Sequence, residues 1–569
     1  MKKIVSLVLA LLMVVGMFAG CGTETEVEEG NEAKVLTGTG DGFGGQITAT
    51  VTVEGEKITG LEIDAASETP EIADAAVESL KAAILEAGSV EGIDVVAGAT
   101  WTSNGVIYAV KNALDPEGNP YPVVKEDEKA EAVATAEATF GLGIQNDGRL
   151  GPGSDDTGVP VYSFNQVYAA AVFDAEGRIM SLRLDQLEVA APNYDGEGMP
   201  HLAGWPGQSY NYDENHDAVV DGTLTYDDDS FLEAVAGWQT KRERGDGYKM
   251  NSGSWSSEAD KFEEIFVGMT VEEVFEWFEK YCSDKNGRPL KEPGEKTSEE
   301  DKAKYEALTD EEKEMLADVT ASATMSLNDS HGNILAAIEK AYANRKALGE
   351  LSATALGLGV DSMGRIGPGK DDTDVQVYSF NNVVAAVLLD SEGRIAALYL
   401  DQVEVASPNY DGEGMPHFAG WPGQSYNYDE NHDAVVDGTL GYDDESFLAA
   451  INGWQTKRER GDGYKMNSGS WSSEADKFEE IFVGMTIDEV LDWFEKYCSD
   501  KNGRPLKEPG EKTSEEDKAK YEALTDEEKE MLADVTASAT MSLNDGHGNI
   551  LAAIKAAVES YKTVDITVG

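Results

Sequence analysis

Apolar and polar residues alternate along ITATVTVEGEKITGLEID (47–64) and break at Glu54-Gly55, the pattern of a β-hairpin. The period then changes. Ile72, Ala76, Leu80 and Ile84 recur at helical spacing behind Pro70, a residue suited to a helix's first turn. A second apolar-periodic stretch, SNGVIYAVKNAL (103–114), is stopped by Asp115-Pro116. The alternation returns in VYAAAVFDAEGRIMSLRLDQ (167–186), followed by Pro192, and a helical pattern returns in HGNILAAIEKAY (331–342). Between these lie aromatic loops and helices with capping-box starts, Thr270 with Glu273 and Thr309 with Glu312. The expected class is α+β, a small antiparallel hairpin or sheet with packed helices.

The pattern is also duplicated. GWQTKRERGDGYKMNSGSWSSEADKFEEIFVGMT stands at 237–270 and again at 453–486, 216 residues on. Residues 135–345 and 346–569 are therefore read as two enlarged copies of the unit at 34–115, each large enough for its own core. The acidic stretch around KEDEKAEA makes 116–134 a linker, and a second acidic segment, 22–33, reads as a tether.

The chain start reads as a targeting signal. Lys2 and Lys3 precede an apolar run from Ile4 to Ala19, which ends in Phe18-Ala19-Gly20-Cys21. This resembles the lipobox of bacterial lipoproteins. The resemblance implies that residues 1–21 are a signal peptide and Cys21 the lipidated N-terminus, holding the protein at the extracytoplasmic face of a membrane. No later apolar run approaches the length needed to span a bilayer.

Charge narrows the partners. The 108 Asp+Glu against 45 Lys+Arg give a net charge of −63, which excludes nucleic acid as a partner. Three cysteines exclude a disulfide scaffold, and no Cys/His cluster suggests zinc, haem or iron–sulfur.

One motif carries chemistry: Asp94, then Ala97-Gly98-Ala99-Thr100, any residue, and Thr102. It resembles the covalent flavin-attachment signature of FMN-binding domains, as in the flavoprotein subunits of sodium-pumping and Rnf-type redox complexes. The resemblance covers about 34–114. It implies FMN joined by a phosphoester to Thr102, installed by a flavin transferase that recognises Asp94 and its neighbours. The residue types suit that chemistry. Thr102 offers a hydroxyl, Gly98 and Ala99 let backbone approach a phosphate, and Thr102 stands just before a predicted helix, whose N-terminus favours an anion. In the copies, Asp318 to Ser326 and Asp534 to Ser542 keep the spacing and an Ala-Thr pair, while Ser322 and Ser538 replace Gly98. Ser326 and Ser542 are thus further candidate attachment sites.

Other features are weaker. WQTKRERGDGYKM is a basic island in which Arg242, Arg244 and Lys249 either receive a phosphate, dock a partner or pair with internal carboxylates. Its Arg244-Gly245-Asp246 tripeptide is of integrin type, but a match this short arises often by chance. Asp213 to Asp217 starts like a calcium loop but lacks the later glycine and glutamate. Cys282 and Cys498 read as buried or free thiols. The loop Gly204 to Tyr210 either covers a flavin ring or caps the core. The functional expectation is a lipid-anchored extracytoplasmic flavoprotein relaying electrons from a membrane redox donor to an extracellular acceptor. The alternatives are a surface binding or adhesion lipoprotein using the same domains as scaffold, and a reductase whose insertions form a substrate pocket.

Overall fold

A computed structural model describes residues 33–116 and 138–568, apart from short stretches at 42–45, 56, 67–69, 91–92, 94–95, 97–99, 156–157, 195, 197, 209, 213–221, 251, 373, 411, 413, 425, 429–437, 462–463 and 467. The chain divides into two compact units, Met1–Lys129 and Ala130–Gly569.

In the first unit β1 (Lys34–Asp41), β2 (Gln46–Glu54) and β3 (Lys57–Asp64) form one antiparallel sheet in the order β1-β2-β3. The alternation works as expected: Ile47, Ala49 and Val51 are fully buried and Gly55, at φ +67°, makes the turn into β3. Helix α1 (Pro70–Ala87) buries Ala76, Leu80 and Ile84 and stops at left-handed Gly88, whose N–H donates to Ile84 O at 2.8 Å. Helix α2 (Thr100–Leu114) packs on β1 and β2. Gly38 and Gly40, near the start of this unit, stand within β1 because a helix lies on it. A Cβ at Gly38 would overlap the backbone of Ala113, and one at Gly40 the carbonyl of Gly105.

The second unit repeats this device twice. Strands β4 (Ala138–Ser154), β5 (Pro160–Asp174) and β6 (Ile179–Ala190) form the first copy's sheet, and β7 (Lys346–Ala347) pairs on β4. Strands β8 (Leu351–Lys370), β9 (Gln376–Leu389) and β10 (Ile395–Ala406) form the second, closed by the C-terminal β11 (Lys562–Val568) on β8. The first copy's sheet thus ends at 347, just past the repeat boundary read from sequence. Helix 334–343 lies on β4 where a Cβ at Gly141 would overlap Ala341 O. Helix 550–559 lies on β8 where one at Gly357 would overlap Ala557 O.

The two copies share a core. The rings of Phe164 and Phe380 stack at 5.7 Å between the sheets. Tyr162 donates to Asp444 at 2.9 Å and Tyr378 to Asp228 at 2.8 Å, a reciprocal pair across an approximate two-fold. Helix 444–452 packs on the first copy at Gly148, and helix 228–236 on the second at Gly364. Trp205 is 1% exposed in this core, so the Gly204 to Tyr210 loop serves packing here. The inserted helices cover the opposite faces of the sheets, and Thr270 and Thr309 cap theirs through the expected boxes with Glu273 and Glu312.

Candidate functional site

Thr102 is the third residue of α2, so the helix starts three residues earlier than the sequence suggests, at Thr100. It is 4% exposed, within the turn whose N–H groups lack intrahelical acceptors. The next residue fixes the approach to the helix: Ser103 Oγ accepts from Val96 N–H at 3.0 Å. At the other end, Asn112 Oδ1 accepts from Thr39 N–H at 2.9 Å, tying α2 to β1. Asp94, Gly98 and Ala99 lie outside the described residues, as does Cys21.

The helix-on-strand contacts supply a structural register for the copies. Ala109, Ala341 and Ala557 occupy the same place over their strands, each with its carbonyl at the first glycine of a pair and its nitrogen at the second. Counting back from each by the interval that separates Ala109 from Thr102 leads to Ile334 and Ile550, not to Ser326 and Ser542. The difference is a two-stranded ladder, 328–329 with 332–333 and 544–545 with 548–549, between each candidate serine and its helix. Asp318 and Asp534 lie within helices 310–322 and 526–538, and Ser322 and Ser538 end them.

Ser326 and Ser542 instead line two matching cavities, of about 490 and 470 Å³. The first is lined by Arg149, Lys241, Arg244, Lys249, Arg288 and His331 together with Tyr194, Tyr248 and three methionines. Glu188 lies under the cations, 1% exposed, accepting from Arg149 at 2.6 Å and paired with Lys241 Nζ at 3.1 Å. Burial opposes its charge, but Lys241 and Arg149 outweigh burial and hold its pKa at about 2. Lys241 and Arg244 both stand over the Tyr248 ring, at 4.9 and 4.6 Å. His331 Nδ1 is 2.8 Å from Asp329. In the second cavity Glu404 pairs with Arg365 at 2.8 Å and Lys457 at 3.0 Å, and its pKa is likewise held at about 2. There the His547 ring is 2.7 Å from the Arg365 guanidinium.

The basic island therefore divides. Arg242 turns inward to Asp260 at 2.8 Å and Glu263 at 2.6 Å, while Arg244 and Lys249 line the cavity. Sequence reasoning missed Arg149, Glu188 and Arg288. One signal marks Arg149: Gln145 and Asp147 become Asp361 and Met363 in the second copy, whereas Arg149 remains Arg365. Cys282 and Cys498 are buried free thiols whose pKa burial pushes up. The calcium-loop start at 213–217 lies outside the described residues. Among the described residues, no group of three His, Cys, Asp or Glu is placed to hold a metal, and no helix is long and apolar enough to cross a membrane.

A three-stranded sheet carrying a helix across paired glycines, with a threonine hydroxyl in that helix's first turn, is a module suited to a phosphate-bearing cofactor. Residues 42–115 match the FMN-binding domain family, and the first unit is such a domain. Two curated proteins share longer stretches. A chlorophenol reductase of Desulfitobacterium hafniense is 38% identical over 190 residues, 32% of this chain and 52% of that protein. An NADH:acrylate oxidoreductase of Vibrio harveyi is 36% identical over 104 residues, 18% of this chain and 10% of that protein. The chain thus spans about half the length of the first and a tenth of the second.

Proposed function

We propose that this chain is a lipid-anchored extracytoplasmic flavoprotein that carries FMN as a phosphoester on Thr102 and relays electrons. The observation that carries this reading is Thr102 in the first turn of α2, inside the segment that matches the FMN-binding domain. The residues present fit the group. The threonine supplies the ester oxygen, and the first-turn N–H groups of α2 suit a phosphodiester anion in a chain with few cations. Gly40 lets that end of the helix lie directly on β1, which fixes the turn that carries Thr102 against the sheet. Bound FMN supplies one- and two-electron chemistry. The protein's part is to hold it at a fixed place on an exported chain, where a loosely held cofactor would be lost.

In this reading Cys21 carries the lipid, a flavin transferase matures the domain, a membrane redox donor delivers electrons and an extracellular acceptor removes them. The reductase names of the two relatives support redox work. Ser326 and Ser542 are the candidates for further flavin. Expression of the full chain with a flavin transferase, followed by a denaturing gel viewed for flavin fluorescence, tests all three residues. The expected result is a fluorescent band that Thr102→Val removes. No band in the wild type would refute covalent attachment. A band that survives Thr102→Val and disappears with Ser326→Ala and Ser542→Ala would place the ester in the copies.

A further inference from the structure

Acidic side chains outnumber basic ones 108 to 45 in this chain, so a concavity without carboxylates is out of character. The two matching cavities of the second unit are of that kind: among the described residues that line them, none is Asp or Glu. In the first, Lys241, Arg244 and Arg288 converge on the space that Ser326 also lines. Glu188 offsets only part of the charge of Lys241 and Arg149 beneath it, so the cavity stays positive. Its other wall is soft and apolar, built from Tyr194, Met199 and Met250. Lys457, Arg460 and Arg504 face Tyr410, Met415 and Met466 in the same way in the second. Every lining residue of the first cavity recurs unchanged 216 positions on, while strand residues beside them differ, such as Tyr168 and Val384 or Arg183 and Tyr399.

We propose that each cavity is a reversible binding site for a phosphate-bearing planar ring compound, a mononucleotide of the size and charge of FMN. Several cations around a hydroxyl suit a dianionic phosphate, for which arginine supplies a planar fork of donors. The tyrosine and methionine wall suits a flat ring, and volumes of about 490 and 470 Å³ fall within the range of small-molecule pockets. Charge and shape do the holding, with no ester bond, and the site is independent of Thr102.

The test uses the full mature chain carrying Thr102→Val, purified without flavin, in equilibrium dialysis against FMN, riboflavin and inorganic phosphate. FMN is expected to bind at two sites per chain. Riboflavin, which lacks the phosphate, is expected to bind at least about tenfold more weakly, equivalent to about 1.4 kcal/mol. Inorganic phosphate should compete with FMN. Arg244→Gln with Arg288→Gln should leave one site, and adding Arg460→Gln with Arg504→Gln should leave none, with circular dichroism showing the fold retained. Failure to bind FMN, equal binding of riboflavin, or a stoichiometry untouched by the arginine changes would overturn the proposal. The riboflavin and phosphate arms decide it even if an arginine variant misfolds.

Discussion

The indole nitrogen of Trp205 donates to the carbonyl oxygen of Phe418 at 2.6 Å, and that of Trp421 donates to Leu202 at the same distance. Each copy of the second unit thus places a fully buried tryptophan in the shared core and satisfies its one polar atom on the other copy. A tandem duplication that reads as two separate domains is an internal dimer.

This interlock predicts that Trp205→Ala and Trp421→Ala destabilise the second unit by similar amounts. Truncating a fully buried tryptophan costs about 3–5 kcal/mol. Urea unfolding followed by circular dichroism measures the loss. A change at one tryptophan that left stability intact would show that the copies fold without the shared core.

A second prediction concerns α2. Gly40→Ala pushes a methyl group into the Gly105 carbonyl, an overpacking that typically costs about 1–3 kcal/mol. The helix end that presents Thr102 is displaced with it. The melting transition of the first unit should fall while that of the second stays, and flavin fluorescence on Thr102 should fall in the denaturing gel. Full flavin loading with an unchanged melt would contradict the tight seating of α2 on β1.

The third prediction is a pH dependence. Glu188 has a folded pKa of about 2 against an ordinary 4.5, because Lys241 and Arg149 outweigh its burial. A depressed carboxyl contributes stability in full above the unfolded value and loses it as pH falls through the folded one. Glu188→Gln should therefore cost about 3–5 kcal/mol at pH 7, where it leaves two buried cations without their carboxylate. The gap to wild type should narrow as pH falls from 4.5 toward 2. Thermal melts of both proteins across that range measure it, and a gap that stays constant would mean that the Glu188 charge contributes nothing.

The strands, helices and capping boxes were legible because each depends on local chemistry. Ile47, Ala49 and Val51 alternate since one face of a strand is buried, and Thr270 meets Glu273 since three residues close a helical turn. Gly38 and Gly40 carry no such local signal for a strand. Glycine weakens a strand in isolation, and only the helix seated on these two explains them. The candidate serines show the limit of spacing. Asp318 to Ser326 repeats the interval of Asp94 to Thr102, yet the short ladder after Ser326 separates it from its helix and opens it to a cavity.

The sequence by itself determined the class of fold, the duplication and Thr102 as the hydroxyl to test, since periodicity, repetition and a short motif are properties of neighbours along the chain. Only the tertiary structure decided that the copies share one core, that Arg242 and Arg244 part company within one basic island, and that a positive cavity exists in a protein of net charge −63. Those outcomes depend on which residues distant in sequence meet. Arg149, Lys241 and Arg288 come from a strand, a turn and a loop far apart along the chain, and packing alone brings them to one space.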